Sequence, residues 1–271
     1  MNLPSLLPGD PSELRLRIVF TDDLKDIPQD DTLERWDVET LHEEAEVGTM
    51  AFYRLHLDRG ANAYRTMAEA SEELDETAQA LLAPDTGNFT EDASTWPPYI
   101  GSALLVMDGM TLGEQWRGYS RGGILATEAI HRLMAGCRGI ACSPGVTDLS
   151  SDRLKNRAEF DRVTAKIARG WERIGFRLHR GNVYLLSPTS LQLEEQRGAM
   201  RQRLAELGTS WRLTQAAIRP PGWLVRPTRQ EYDGCCGSLS NRGGTRLSVQ
   251  TCPDRRRGNR SLSYSGDEGC L

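Results

Sequence analysis

The chain has 271 residues, of which 38% are hydrophobic and 26% charged, with a mean hydropathy of −0.50. No apolar run approaches the ~20 residues of a membrane-spanning helix, and Met1-Asn2-Leu3-Pro4-Ser5 starts no basic-then-apolar leader, so the sequence predicts a soluble, cytoplasmic protein with no membrane partner. Residues 1–189 carry 20 Lys+Arg against 30 Asp+Glu, which argues against nucleic acid as a partner and suits a cationic amine substrate.

Residues 1–12 are rich in Pro, Gly and Ser and read as a loose N-terminal segment. Glu13 to Phe20 alternates and then turns apolar, as a half-buried strand does. Residues 21–34 are acidic, contain Pro28, and read as loop or a poorly formed helix. Glu46 to Leu57 predicts a second strand, and Ala63 to Leu82 a helix that Pro84 stops. Residues 84–98, with Pro84, Gly87, Pro97 and Pro98, predict a long loop. A strand over about 99–112 follows, in which Gly109 is placed to mark a bulge. A helix over about 121–136, a strand from Cys137 to Val146 and a long helix from Asp152 to Ile174 come next. Gly175 is a helix C-cap and Phe176 returns to the core. Arg177 to Leu186 predicts a hairpin turning at Gly181-Asn182. The fold class expected is a mixed α/β sheet with flanking helices.

Beyond Pro188, Leu191 to Leu207 predicts an amphipathic helix ended by Gly208, within a helical extension over 189–219. From Pro220 to 271 the apolar periodicity disappears and a disordered tail is expected. Cys137 and Cys142 read as buried core thiols. Cys235, Cys236, Cys252 and Cys270 lack the paired C-x₂-C spacing of a zinc site, so no metal is expected.

The stretch Gln115-Trp116-Arg117-Gly118-Tyr119-Ser120-Arg121-Gly122-Gly123 lies between the predicted strand and helix. It reads either as a plain turn or as an anion cradle. A helix leaves its first amides without intrahelical acceptors, its dipole favours negative charge there, and glycines let a phosphate approach the backbone. No Gly-Lys-Ser/Thr ends the loop, and the G-x-G-x-x-G spacing is absent, so neither a P-loop nor a dinucleotide fingerprint is present.

Arg117-Gly118-Tyr119-Ser120-Arg121-Gly122 resembles the Q/R-x-x-G-x-G/A motif of GNAT-type N-acetyltransferases, with Ser120 where the family usually has its middle glycine. Downstream, Ala165 to Arg177 resembles the family's late helix and its Y-E-K-x-G-F ending, with Trp171 at the tyrosine position. The resemblance covers roughly residues 13 to 187. It implies a GNAT-like domain over 13–188: a mainly antiparallel sheet with a splayed strand pair, binding acetyl-CoA as co-substrate. It further implies that Arg117, Gly118, Tyr119, Ser120, Arg121, Gly122 and Gly123 hold the coenzyme's pyrophosphate. A backbone N–H between Met110 and Leu112 would polarise the thioester carbonyl.

Acetyl transfer to an amine needs a base, a polarised carbonyl and fixed attack geometry. Asp108 and Glu114 are the nearest acids to the motif, with Glu46 on the earlier strand as a further candidate. His42, His56, His131 and His179 show neither triad nor metal spacing, although His56 alternates with apolar neighbours. The absence of Gly-x-Ser-x-Gly argues against a serine hydrolase. Trp171 donates through its indole N–H but is no acid near neutral pH, so two readings stand: an amine acetyltransferase using direct attack, or a non-catalytic acyl-CoA-binding regulator. A structural α/β domain without coenzyme is a third. The acceptor, a small molecule or peptide amine, is expected to meet the early loops over 21–45 and 84–98.

Overall fold

Alternating apolar and polar side chains build a seven-stranded sheet. Its strands are β1 (Arg15–Phe20), β2 (Leu33–His42), β3 (Ala45–His56), β4 (Ala103–Leu112), β5 (Cys137–Cys142), β6 (Arg177–Arg180) and β7 (Val183–Leu186). The computed structural model describes residues 7–21, 32–95, 100–118, 120–145 and 157–218. The strand order is β1-β2-β3-β4-β5-β7-β6, and every neighbouring pair is antiparallel except β4 with β5. The fold is therefore mixed α/β and mainly antiparallel. Among the described residues no helix is long and apolar enough to cross a membrane.

The period of two along the strands divides the core into two layers. Val38, Met50, Phe52, Leu105 and Met107 pack against α4 (Arg121–Leu133) and α5 (Arg157–Ile174) through Leu125, Ile130, Leu133 and Ile174. Leu55, Leu104 and Val106 pack on the opposite face against α1 (Ala63–Ala70) and α2 (Glu72–Leu81), through Met67, Leu74 and Leu81. The parallel β4–β5 pair is joined by α4, as parallel strands require a crossover.

Several sequence expectations need correction. Residues 33–42 are strand β2, not loop: Trp36 and Val38 point to the core while Arg35, Asp37 and Glu39 alternate with them on the other face. The charges mask a period-two pattern. The single helix expected over Ala63 to Leu82 is two helices. Ser71 sits between them in extended conformation (φ −162°, ψ 163°), and its Oγ accepts from the Leu74 amide at 3.1 Å, capping α2. The loop over 84–98 contains a short helix, α3 (Glu91–Ser94), capped by Thr90; residues 96–98 lie outside the described residues. The strand expected over 99–112 begins at Ala103, because Gly101 turns left-handed (φ 103°) with no room for a Cβ against the Gly136–Arg138 backbone. The helix over 121–136 ends at Leu133, and the strand from Cys137 ends at Cys142. The 177–186 hairpin forms as expected, and Cys137 and Cys142 are buried free thiols.

The extension after Pro188 is one helix, α6 (Leu191–Ile218), which passes straight through Gly208. A Cβ at Gly208 would lie 2.7 Å from both Asp10 Oδ1 and Ser12 Oγ, so this glycine serves a close approach and not a helix stop. The N-terminal residues from Leu7 are accordingly held in place: Trp211 Nε1 donates to Leu7 O at 3.0 Å, and Arg212 pairs with the buried Asp10. The tail over 220–271 lies outside the described residues.

Glu128 on α4 ties α6 down, accepting from Arg197 Nε at 3.1 Å and from Arg201 Nε at 2.5 Å. Burial alone would raise its carboxyl, but the hydrogen bonds and charges of the two arginines hold it down at about 2, from 4.5. Its stabilisation is thus present above pH 4.5 and lost as pH falls toward 2. Glu128→Gln is expected to destabilise the fold by about 2 kcal/mol at pH 7, given that Arg201 is half exposed and screened. Urea unfolding at pH 7 and pH 2.5 checks this; an equal loss at both values would refute the ionic origin.

Candidate functional site

The site begins where the sheet loses its regularity. β3 and β4 pair Met50 with Met110 and Ala51 with Gly109, and then Phe52 with Met107. Asp108 is therefore an extra residue, a β-bulge beside the expected Gly109. Parallel pairing of β4 with β5 ends at the same point, with Met107 opposite Cys142. β4 continues to Leu112, while β5 gives way to Ser143, Pro144 and Gly145.

A cleft of about 560 Å³ occupies the gap, a size typical of small-ligand sites. One side carries Arg117, Gly118 and Gly122 with Phe160, Ile167 and Trp171 of α5, and the other carries Glu73, Glu76 and Thr77 of α2. Since α2 and α5 cover opposite faces, the cleft passes through the sheet at the gap. Phe160, Ile167 and Trp171 recur at i, i+7 and i+11, one face of a helix. That stripe was legible in the sequence; its aim at the cleft was not.

The loop ahead of α4 is braced by its own arginines. Arg117 lines the cleft, and its Nε donates to Leu112 O at 2.7 Å. Arg121 does the reverse of what a phosphate ligand requires. Its side chain is buried behind the loop, with Nε donating to Trp116 O at 2.6 Å and a second nitrogen to Arg117 O. The Trp116 and Arg117 carbonyls face inward, and Gly122 stands in the first turn of α4, where a helix presents amide donors. Gly118 takes φ 93° with open space around it, so glycine is needed there for its dihedral. Gly123 packs toward Ile174 at 3.4 Å from its would-be Cβ and lies outside the cleft lining, whereas Gly122 lines it beside Met110. Tyr119 lies outside the described residues.

Ser120, at the N-terminus of α4, is left-handed (φ 61°, ψ 17°) and makes no capping bond with its side chain. A Cβ in this conformation is unfavourable, and glycine's larger unfolded-state entropy offsets part of the relief. Ser120→Gly is expected to stabilise the fold by about 0.5–1 kcal/mol. Thermal unfolding measures it, and a destabilised variant would show that the Ser120 side chain holds the loop.

Asp108 lines the cleft at the bulge, with its side chain open to the cavity. Loss of water around the carboxylate raises its pKa above the ordinary 3.8, and Glu73 raises it further; Arg35 opposes both. Met110 and Leu112 also line the cleft, Leu112 being buried. Glu114 is exposed on a 3-10 turn (Glu114–Trp116) and is not among the cleft residues.

No known protein-family model and no curated protein matches this chain.

A second cavity of about 480 Å³ adjoins the first along Asp108, Gly109 and Met110. It lies on β1 to β4 and includes Glu46, the earlier-strand candidate, together with Arg35, Asp37 and Glu39. His56 does not face either cavity. It pairs with Glu34 at 2.8 Å in a network that includes Arg59, Arg54 and the Trp36 indole. Burial pushes both Cys137 and Cys142 thiols up, which removes them as nucleophiles although Cys142 borders the cleft. Trp171 meets Phe176 edge-on at 5.7 Å between centroids. No tyrosine lines the cleft among the described residues. The arrangement offers an anion-receptive loop at one end, an apolar middle and carboxylates at the other end.

Proposed function

We propose that the protein transfers an acetyl group from acetyl-CoA to a primary amine by direct attack, on a GNAT-like scaffold. The observation that carries this reading is the parting of β4 and β5 at Met107 and Cys142, at the Asp108 bulge, into a cleft that opens onto the N-terminus of α4. Arg117 and the backbone at Gly118 and Gly122 bind the pyrophosphate, where first-turn donors and the helix dipole favour anions. Met107, Met110, Phe160 and Ile167 give the thioester arm an apolar channel. A strand amide between Met110 and Leu112 stabilises the developing oxyanion. Asp108 takes the proton from the attacking ammonium, a role its raised pKa suits. The coenzyme supplies an activated acyl group and a leaving thiolate. With a thiol reference pKa of about 8.5, that thiolate departs without a strong acid.

Trp171 favours a second reading. It lines the cleft in place of an acid, as in an acyl-CoA sensor that does not turn over. Calorimetric titration with acetyl-CoA, followed by thiol release with a panel of amines, decides between them. Binding with thiol release supports the transferase, binding without release across the panel supports the sensor, and absence of binding refutes both.

A further inference from the structure

Resting on the transferase reading, we infer that the acceptor is a linear di- or polyamine whose second ammonium sits in the groove beside Asp108. The cavities, and not the acids alone, mark the place. The cleft and the 480 Å³ groove share Asp108, Gly109 and Met110, so an amine held at Asp108 sits where the two cavities adjoin.

The charges around the two cavities give the sign of their occupant. Arg117 is at the loop end of the cleft, while Glu73 and Glu76 stand at the α2 end and Glu46 in the groove. Within the groove Asp37 is paired with Arg35 at 3.1 Å and Glu39 with Arg17. Glu46, Glu73 and Glu76 have no ion pair with any described residue. A cationic ligand supplies the partners these carboxylates lack, and raises its own encounter rate in their field. An anionic or zwitterionic acceptor would meet like charge.

The apolar surface gives the shape. Val19 and Ala51 lie beside the carboxylates on the groove's face of the sheet, and methylene groups between two ammonium centres match them. In the reaction, the ammonium at Asp108 yields one proton to the carboxylate. The neutral nitrogen forms the N–C bond, and the C–S bond breaks. The thiolate takes up the proton that the nitrogen loses, and Asp108 returns its own to water.

The test compares α,ω-diaminoalkanes of three to six carbons with n-alkylamines and ω-aminocarboxylates of the same length. Thiol release and calorimetry are both read. Diamines are expected to exceed monoamines at least tenfold in kcat/KM, with aminocarboxylates below both, and the excess is expected to shrink in 0.5 M salt. In the Glu46→Gln/Glu73→Gln double variant the diamine-to-monoamine ratio falls toward one, while acetyl-CoA affinity stays within twofold of wild type. Equal use of monoamines and diamines, or acetyl-CoA binding with no amine acetylated, overturns the inference. If acetyl-CoA itself fails to bind, the transferase reading falls separately. Diamine binding measured without coenzyme then still decides the groove: salt-sensitive binding, weakened in the double variant, supports it, and absence of binding refutes it.

Discussion

Asp108→Asn is expected to lower kcat/KM for amine acetylation by about 10²- to 10⁴-fold, the range for loss of a positioned base, while acetyl-CoA binding stays within twofold. The carboxylate sits at the bulge where the strands part and is the acid common to both cavities. The wild-type rate is expected to fall as pH drops through the raised pKa of Asp108, and the variant to lose that acidic limb. A stability change of defined sign accompanies it. Asp108 is harder to ionise in the fold than in the unfolded chain, where its value is near 3.8. Its charged form therefore weakens the fold once pH rises through the folded pKa, whereas below 3.8 both states are protonated and nothing is lost. Asp108→Asn should then unfold at a higher temperature at pH 7, with the gain vanishing below pH 3.8. Unchanged turnover in the variant would remove Asp108 from the mechanism.

Gly122→Asp is expected to weaken acetyl-CoA binding at least about a hundredfold, or ~2.7 kcal/mol, with the fold intact. The substitution puts a carboxylate at the proposed pyrophosphate site. The helix itself tolerates it, since acidic residues are favourable in a first turn. The new Cβ meets only the flexible end of Met110, at 3.4 Å from Cε. Calorimetry gives the affinity and thermal unfolding the control. Wild-type affinity in a folded Gly122→Asp protein would move the anion site away from α4.

Residue patterns near one another in sequence were the legible ones. The Gly-rich turn between strand and helix, the hairpin at Gly181-Asn182, and the bulge beside Gly109 all rest on local backbone preference. β2 is hidden in the sequence because Glu34, Arg35, Asp37 and Glu39 have loop-like composition, although their alternation with Trp36 and Val38 obeys the strand period. Gly208 looked like a helix end because the reason for that glycine, Asp10 and Ser12 at 2.7 Å, is nearly two hundred residues away. Arg121 reads as a phosphate ligand for a different reason, since its acceptors are only four and five residues away. Only the folded loop shows its guanidinium turned inward onto Trp116 O and Arg117 O.

The sequence by itself determined the α/β class, the Gly-rich turn between β4 and α4 and the acidic balance of residues 1–189, because dihedral preference, periodicity and charge are properties of short segments. Tertiary structure decided which acid lines the cleft. Asp108 and Glu114 are six residues apart and chemically alike, yet the bulge points one into the cleft while the 3-10 turn leaves the other in solvent. It also brought Glu73 and Trp171 to the cleft, and Glu46 to the adjoining groove, from three separate elements. Such convergence depends on strand pairing and helix packing across long sequence separations, and no local pattern encodes it.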